Sequence, residues 1–447
     1  MFKNITIKSK LLIIFFFIAL FANFLKAEEP NLNLSFKLKN GLSVILVKTK
    51  SPIVSQIMAY DVGSIEEPSG KEGLAHLVEH AMFLGSKNYT KEQFSKTIQS
   101  IGGEYNAFTN FDKTSYYLTA PKIYLEELIK LESDRMAKVV LNADLIKNEI
   151  EVVLEERNKL YNNQYIPLYF DIYSKTYTNT NYGRSIIGYV DTFRKINKDD
   201  VENFYKAWYY PANAKLVIIG NIDLDKTKRL VEKYYGGISS MYFKPKRANL
   251  DQEPLISDTT IKYNHPNIKQ DVFIKVFLVP SYNTDLSENK ITSRSLVLLA
   301  SILQNNSARF YKKLVDELKI ATNVELNYDF ENKGFALFTF EITPKDGVSL
   351  DDLETKFNKV LSEFINQPAT QAELNYANKA KVASLEFLKE DELKYAVFLA
   401  DYALLGLSYE DTFKLHNSFN NITLQNLNDV FKTITTQKSV VGKAYKK

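Results

Sequence analysis

A polar stretch in the middle of the chain constrains the fold more than any other feature. Residues 244–262, which begin KPKRANLDQEPLISDTT, are punctuated by proline and carry no hydrophobic period, which is linker composition. Ahead of this stretch, residues 33–48 alternate around Asn40-Gly41 as a hairpin does, and 53–62 read as a further strand. Leu74, Leu77, Val78 and Ala81 recur at helical spacing within 73–86, and 91–101 form a second helix closed by Gly102-Gly103. A hairpin over 104–120 leads into two long helices near 122–141 and 144–162. A buried strand, Ala214 to Gly220, then precedes a helix that runs to about residue 235. Behind the linker the order returns: strand 271–279, helix 290–304, a strand pair in 321–342, and helices at 349–366 and 370–389. Both hairpins end on a similar corner, Thr119-Ala120-Pro121 and Thr343-Pro344. The pattern predicts an α+β chain of two homologous α/β-roll domains, each a mixed or antiparallel sheet packed against helices, related by internal duplication. The expected halves are 28–243 and 263–447. A length of 447 residues suits two domains of roughly 200 each. The composition, 45% hydrophobic and 25% charged, is that of a globular protein.

The first 27 residues follow a different logic. Lys3, Lys8 and Lys10 precede an apolar run from Leu11 to Ala22, and a short segment ends at Ala27. A basic start, a short apolar core and a small residue at the end read as a secretory signal, with cleavage expected after Ala27. The run is short for a membrane-spanning helix, so no membrane span is expected after cleavage; retention as an anchor is the alternative. The segment holds four lysines and no acid. Without it, the 57 basic residues of the whole chain fall to 53, equal to the 53 acidic ones, and the formal charge of +4 disappears. No basic footprint for nucleic acid remains. The absence of cysteine excludes disulfides, thiolate nucleophiles and thiolate metal sites. The expected destination is a bacterial periplasm or the cell exterior, since an organelle import segment is typically arginine-rich and amphipathic.

The chain has four histidines, and two of them stand in His76-Leu77-Val78-Glu79-His80. On a helix, positions i and i+4 share a face and i+3 lies beside them, so both imidazoles and the Glu79 carboxylate project to one side. Two imidazoles from one turn are half of a tetrahedral zinc site. A third ligand is needed, and a catalytic zinc keeps a further position for water. With no cysteine, a carboxylate is the natural third donor. The helix at 144–162 offers Glu149, Glu151, Glu155 and Glu156, of which Glu149 and Glu156 lie two turns apart on one face. One of that pair would ligate and the other would support a ligand; spacing alone does not say which.

These residues stand within longer blocks. Gly73-Leu-Ala-His76-Leu-Val-Glu79-His80-Ala-Met-Phe83-Leu-Gly85 is followed by Gly102-Gly103-Glu-Tyr-Asn106-Ala107-Phe-Thr109, then Asp112-Lys-Thr114-Ser-Tyr116, then Glu149-Ile-Glu-Val-Val-Leu-Glu-Glu156. In that order they resemble the insulinase/pitrilysin family of zinc peptidases, which includes the mitochondrial processing peptidase. The resemblance covers residues 30–440, strongly in the first half and weakly in the second. It implies a zinc endopeptidase with one Zn²⁺ per chain, held by His76, His80 and Glu156. It also implies Glu79 as the catalytic base, Glu149 as a supporting carboxylate, and Asn106 and Ala107 on a strand edge that pairs with an extended peptide substrate.

The second half departs from the family pattern. Active members often carry an Arg and, seven residues on, a Tyr that contact substrate. In Ser307-Ala-Arg309-Phe-Tyr-Lys-Lys-Leu314-Val315, Val315 stands where that Arg would be, and Thr322 stands where the Tyr would be. Arg309 matches an upstream arginine of structural character. The expectation is a peptidase whose homologous partner subunit supplies the Arg/Tyr pair in a heterodimer. The competing expectation is a non-catalytic or partner-dependent subunit.

Overall fold

The computed structural model describes residues 32–240, 245–304, 309–365 and 369–446. The expected secretory segment, residues 1–27, lies outside them. The first sheet contains β1 (Asn33–Lys37), β2 (Ser43–Lys48), β3 (Ile53–Tyr60), β4 (Glu104–Thr109), β5 (Thr114–Pro121) and β6 (Ala214–Gly220). Its order is β1-β2-β6-β3-β5-β4. The second contains β7 (Thr259–Asn264), β8 (Val272–Val279), β9 (Ala321–Tyr328), β10 (Ala336–Pro344) and β11 (Ser439–Tyr445), in the order β7-β11-β8-β10-β9. With β1 set aside, the two orders correspond strand for strand. Each has one parallel pair in the same place, β2 with β6 and β7 with β11, and is otherwise antiparallel. The chain is an internal duplication of one mixed sheet.

Burial follows position in the sheet. β3 is central, and IVSQIMAY is buried along nearly its whole length, as a strand covered on both faces must be. β4 is an edge strand and alternates between exposed and half-buried residues. The helices of the first half are α1 (Leu74–Ala81), α2 (Lys91–Ser100), α3 (Leu125–Lys138), α4 (Ala143–Tyr161), α5 (Ile166–Thr176), α6 (Lys198–Trp208) and α7 (Leu224–Tyr235). Leu77 of α1, Ile129 of α3, Phe204 of α6 and Val231 of α7 share one core with Val44, Leu46 and Met58 of the sheet. The second half has α8 (Ile291–Gln304), α9 (Leu350–Ile365), α10 (Gln371–Leu388), α11 (Glu392–Leu404), α12 (Tyr409–Ser418) and α13 (Leu424–Thr435). Leu299, Phe357 and Phe431 from three of these helices pack on Phe273, Phe338 and Phe340.

The other face of each sheet is covered by a helix from the opposite half. α5 lays Leu168 and Ile172 on Ile274, Val276, Val440 and Ala444 of the second sheet. A Cβ at Gly442 would come within 2.6 Å of Ile172 Cδ1, so a larger residue there would push the Ile172 side chain aside. In return α11 lays Tyr395, Ala396, Leu399, Ala400 and Ala403 on Ile57, Ala59, Val217 and Ile219 of the first sheet. The alanines at helical spacing let that helix sit close to the strands. A polar seam accompanies the exchange. Lys113, in the β4–β5 turn, pairs with Asp401 of α11. Buried Asp112 accepts hydrogen bonds from Tyr182 Oη at 2.5 Å and Lys333 N at 3.2 Å. The β4–β5 turn is thereby clamped by both halves.

Candidate metal centre

The helix that carries the histidines starts at an imposed position. Gly73 has φ 94°, and a Cβ there would meet the Phe193 ring at 2.7 Å. Buried Glu67 accepts from Gly73 N at 2.9 Å and Ala75 N at 2.8 Å, satisfying two of the free donors at the start of α1. Leu74, Ala75, Leu77, Val78 and Ala81 seat the helix in the core, as the spacing predicts. His76 and His80 point from the remaining face toward α4, and buried Glu79 turns to Thr109 of β4. α4 is capped by Asn142, which accepts from Asp144 N and Leu145 N, and it buries Ile146, Ile150 and Val153. That orientation turns Glu149 and Glu156 toward α1.

His76, His80 and Glu156 each place a ligand atom within 4.8 Å of the others. His76 Nε2 lies 3.9 Å from Glu156 Oε1, and His80 Nε2 lies 3.5 Å from Glu156 Oε2. Tetrahedral zinc bonded at about 2.0–2.1 Å separates its donors by roughly 3.3–3.5 Å, so small side-chain adjustments would close the site. Among the described residues, His76 leaves both ring nitrogens without a hydrogen-bond partner. Its Nδ1 is buried without a partner, and its Nε2 is too far from Glu156 for a hydrogen bond. Two imidazoles and a carboxylate, with Glu156 half-exposed, are a donor set that suits zinc.

The supporting groups are in place as well. His80 Nδ1 lies 3.2 Å from Glu149 Oε2, and Lys91 Nζ lies 3.4 Å from Glu149 Oε1. A carboxylate in this position can fix the orientation of a neighbouring imidazole. Without an ion, the electrostatics of the two rings diverge. Burial, reinforced by the charge of His80, pulls His76 down to about 4. Burial also works against protonation of His80, but hydrogen bonds to Glu149 and Glu156 outweigh it and raise that ring to about 9. The hydrogen bond from His80 holds both Glu149 and Glu156 below the ordinary carboxylate value. Glu79 is pushed up by burial, opposed by a hydrogen bond from Thr109.

β4 passes beside this group. Asn110 N donates to Lys113 O at 2.9 Å, closing the hairpin turn. Counting back along the ladder, Thr109–Thr114 and Ala107–Tyr116 are non-hydrogen-bonded pairs, so the Ala107 N–H faces the free edge. Asn106 Oδ1 accepts from that N–H at 2.8 Å. In the second half, Val315 lies in a wide helical turn at Lys313–Glu317 and packs on the core. Thr322 is exposed on β9, with its hydroxyl 3.4 Å from Thr343 O. Arg309 pairs with Glu373 at 2.8 and 3.1 Å, bracing the start of α10. Two residues next to the centre were not anticipated. Thr109 was visible only as part of a block, and no local signal in the sequence marks Glu67 as the cap of α1.

Comparison with known proteins agrees with this geometry. Residues 43–189 match the model of the insulinase family, peptidase family M16, and residues 195–381 match the model of the M16 inactive domain. The zinc protease PqqE of Helicobacter pylori is 26% identical over 371 residues, which span 82% of this chain and 82% of that protein. The crystal structure of a protease from Helicobacter pylori superimposes with a TM-score of 0.84 at 23% identity, over 92% of this chain and 99% of that one. The periplasmic protease PqqL of Escherichia coli gives a TM-score of 0.78 at 18% identity, over 93% of this chain and 48% of that longer one. These two likenesses show the two-domain fold. Among the described residues, no helix is long and apolar enough to cross a membrane.

Proposed function

The chain belongs to peptidase family M16, the insulinase family, and from that premise we propose that it is a zinc-dependent endopeptidase acting on extended or unfolded peptides. The observation that carries the reading is the convergence of His76, His80 and Glu156 with Glu79 on the same face of α1. The metal-holding domain would be residues 28–243; the polar stretch from residue 244 links it to a homologous domain, which begins with β7 at Thr259 and holds no metal. His76, His80 and Glu156 would hold one Zn²⁺ per chain, and Glu149 would fix the His80 ring. Bound there, zinc supplies a Lewis acid that acidifies water and polarises a carbonyl. Glu79 accepts the proton of the attacking water on Oε1, the oxygen that Thr109 leaves free, and delivers it to the leaving amine. The peptide adds to β4 as an extra strand, and its backbone displaces Asn106 Oδ1 from the Ala107 N–H. Main-chain pairing of this kind gives affinity with little demand on sequence. A periplasmic site of action is supported by the basic and apolar character of residues 1–27 and by the likeness to a periplasmic protease.

A second reading is favoured by Val315 and Thr322, which stand where an Arg and a Tyr would reach substrate. On that reading the chain is a partner-dependent or non-catalytic subunit, completed by a homologous chain that brings the pair. One assay separates the two: cleavage of quenched peptides by the purified, zinc-loaded chain, with Glu79→Gln as control. Glu79-dependent turnover by the chain alone supports the first reading. Stoichiometric zinc without turnover, restored by a homologous subunit, supports the second.

A further inference from the structure

The loop end of the β4–β5 hairpin reaches the centre through one side chain. Thr109 Oγ1 donates to Glu79 Oε2 at 2.6 Å. Among the described residues, Thr109 is the one hydrogen-bond partner of that carboxylate, which is buried at 8% exposure and paired with no cation. Glutamate reaches its carboxylate through three rotatable bonds, so α1 alone does not determine where Glu79 points. Thr109 is well placed to supply what the helix lacks. It sits opposite Thr114 in the pair that closes the hairpin, and the fully buried Thr114 anchors itself by donating to Val62 O at 3.1 Å. The turn between them is held by Asn110, which accepts from Asp112 N and Lys113 N at 2.9 and 2.8 Å. It is also held by the pairing of Lys113 with Asp401 in the second half. A β-branched side chain on a clamped backbone has few rotamers. We propose that Thr109 is the positioning residue for Glu79, its hydroxyl fixing the carboxylate beside the His76–His80–Glu156 group.

The inference rests on the reading of Glu79 as the base, but its geometry can be tested separately. Thr109 shares β4 with Ala107 and lies two residues on, so the strand that presents its edge to a peptide also holds the base. A purely structural role for Thr109, closing the hairpin, would depend on its methyl group and shape. A positioning role depends on the hydroxyl. Thr109→Val keeps the shape and removes the hydroxyl; Thr109→Ser does the reverse. Crystal structures of the metal-free full chain and both variants read the geometry without activity. The expected result is Glu79 in one place in the native chain and in Thr109→Ser, and displaced or in several conformers in Thr109→Val. In the zinc-loaded chain, Thr109→Val should lower kcat about 10- to 100-fold, the span expected for loss of a hydrogen bond to a charged group, with KM within about twofold. Thr109→Ser should recover most of kcat, and zinc content should be equal in all three. An unmoved Glu79 with native kcat in Thr109→Val overturns the proposal, as does a defect confined to Thr109→Ser. If the native chain shows no Glu79-dependent turnover, the peptidase reading fails, and the crystal structures alone decide the role of Thr109.

Discussion

The two halves share a strand order and differ in almost everything that bears on chemistry. In the first, the helix after the central strand β3 is α1, which carries His76, His80 and the buried Glu79. In the second, the helix after β8 is α8, ITSRSLVLLASILQ, which carries no histidine and buries Leu296, Leu298 and Leu299. The edge strands differ likewise. β4 holds Thr109 against Glu79, whereas β9 presents Thr322, Asn323 and Glu325 to solvent. A sheet covered by helices demands only that inward positions be apolar, so duplication preserves the core and leaves outward positions free to diverge. The second half keeps a mechanical role instead. It supplies α11 to the first sheet and Asp401 to the hairpin that carries Thr109.

That contrast can be broken by substitutions in each half. Glu79→Gln should lower peptide turnover by about 10³-fold, the middle of the range for general-base catalysis. Val315→Ala and Thr322→Ala in the second half should leave kcat within about twofold; equal losses in both halves would dissolve the division of labour. Leu399→Ala, on the exchanged helix, should cost about 2–4 kcal/mol and lower one shared melting transition, because the helix belongs to both cores. Two separate transitions, with only one of them moved, would mean that the halves stand independently. Glu149→Gln should weaken zinc binding roughly 10- to 100-fold while leaving the melting temperature of the metal-free chain nearly unchanged. A competition titration with a chelator reads this directly.

A pH-dependent effect is expected at the seam. Burial, with the charge of Glu331 nearby, pushes Asp329 up to about 6. A carboxyl raised in the folded chain favours the folded state while it is neutral. Its contribution is therefore fullest below the ordinary carboxylate value near 4 and is lost as pH rises through about 6. Asp329→Asn should gain about 1–3 kcal/mol at pH 7.5 relative to pH 4.5, measured by denaturant unfolding. An equal gain at both pH values would rule out charge burial as the cause.

The grouping of the candidate site was largely legible because its information is local. His76, Glu79 and His80 lie within one helical turn and a half, and Glu149 and Glu156 keep a face through two turns. The linker stretch and the restarted pattern likewise announced two similar halves. What escaped the sequence depends on distant partners. Thr109 meets Glu79 across 30 residues, and Glu67 caps α1 from a turn that has no pattern of its own. β7 begins at Thr259 inside the polar stretch, since an edge strand with alternating exposure resembles a linker in composition. The exchange of α5 and α11 could not be read at all. Each helix is apolar on a face, but nothing in its own sequence says which sheet that face will meet.

Zinc content of the purified chain decides whether the first half alone holds a metal. One zinc per chain is expected, lost in His80→Ala and in Glu156→Gln, and retained in Val315→Ala and Thr322→Ala. Zinc absent from the native chain, or undiminished in His80→Ala, would contradict it.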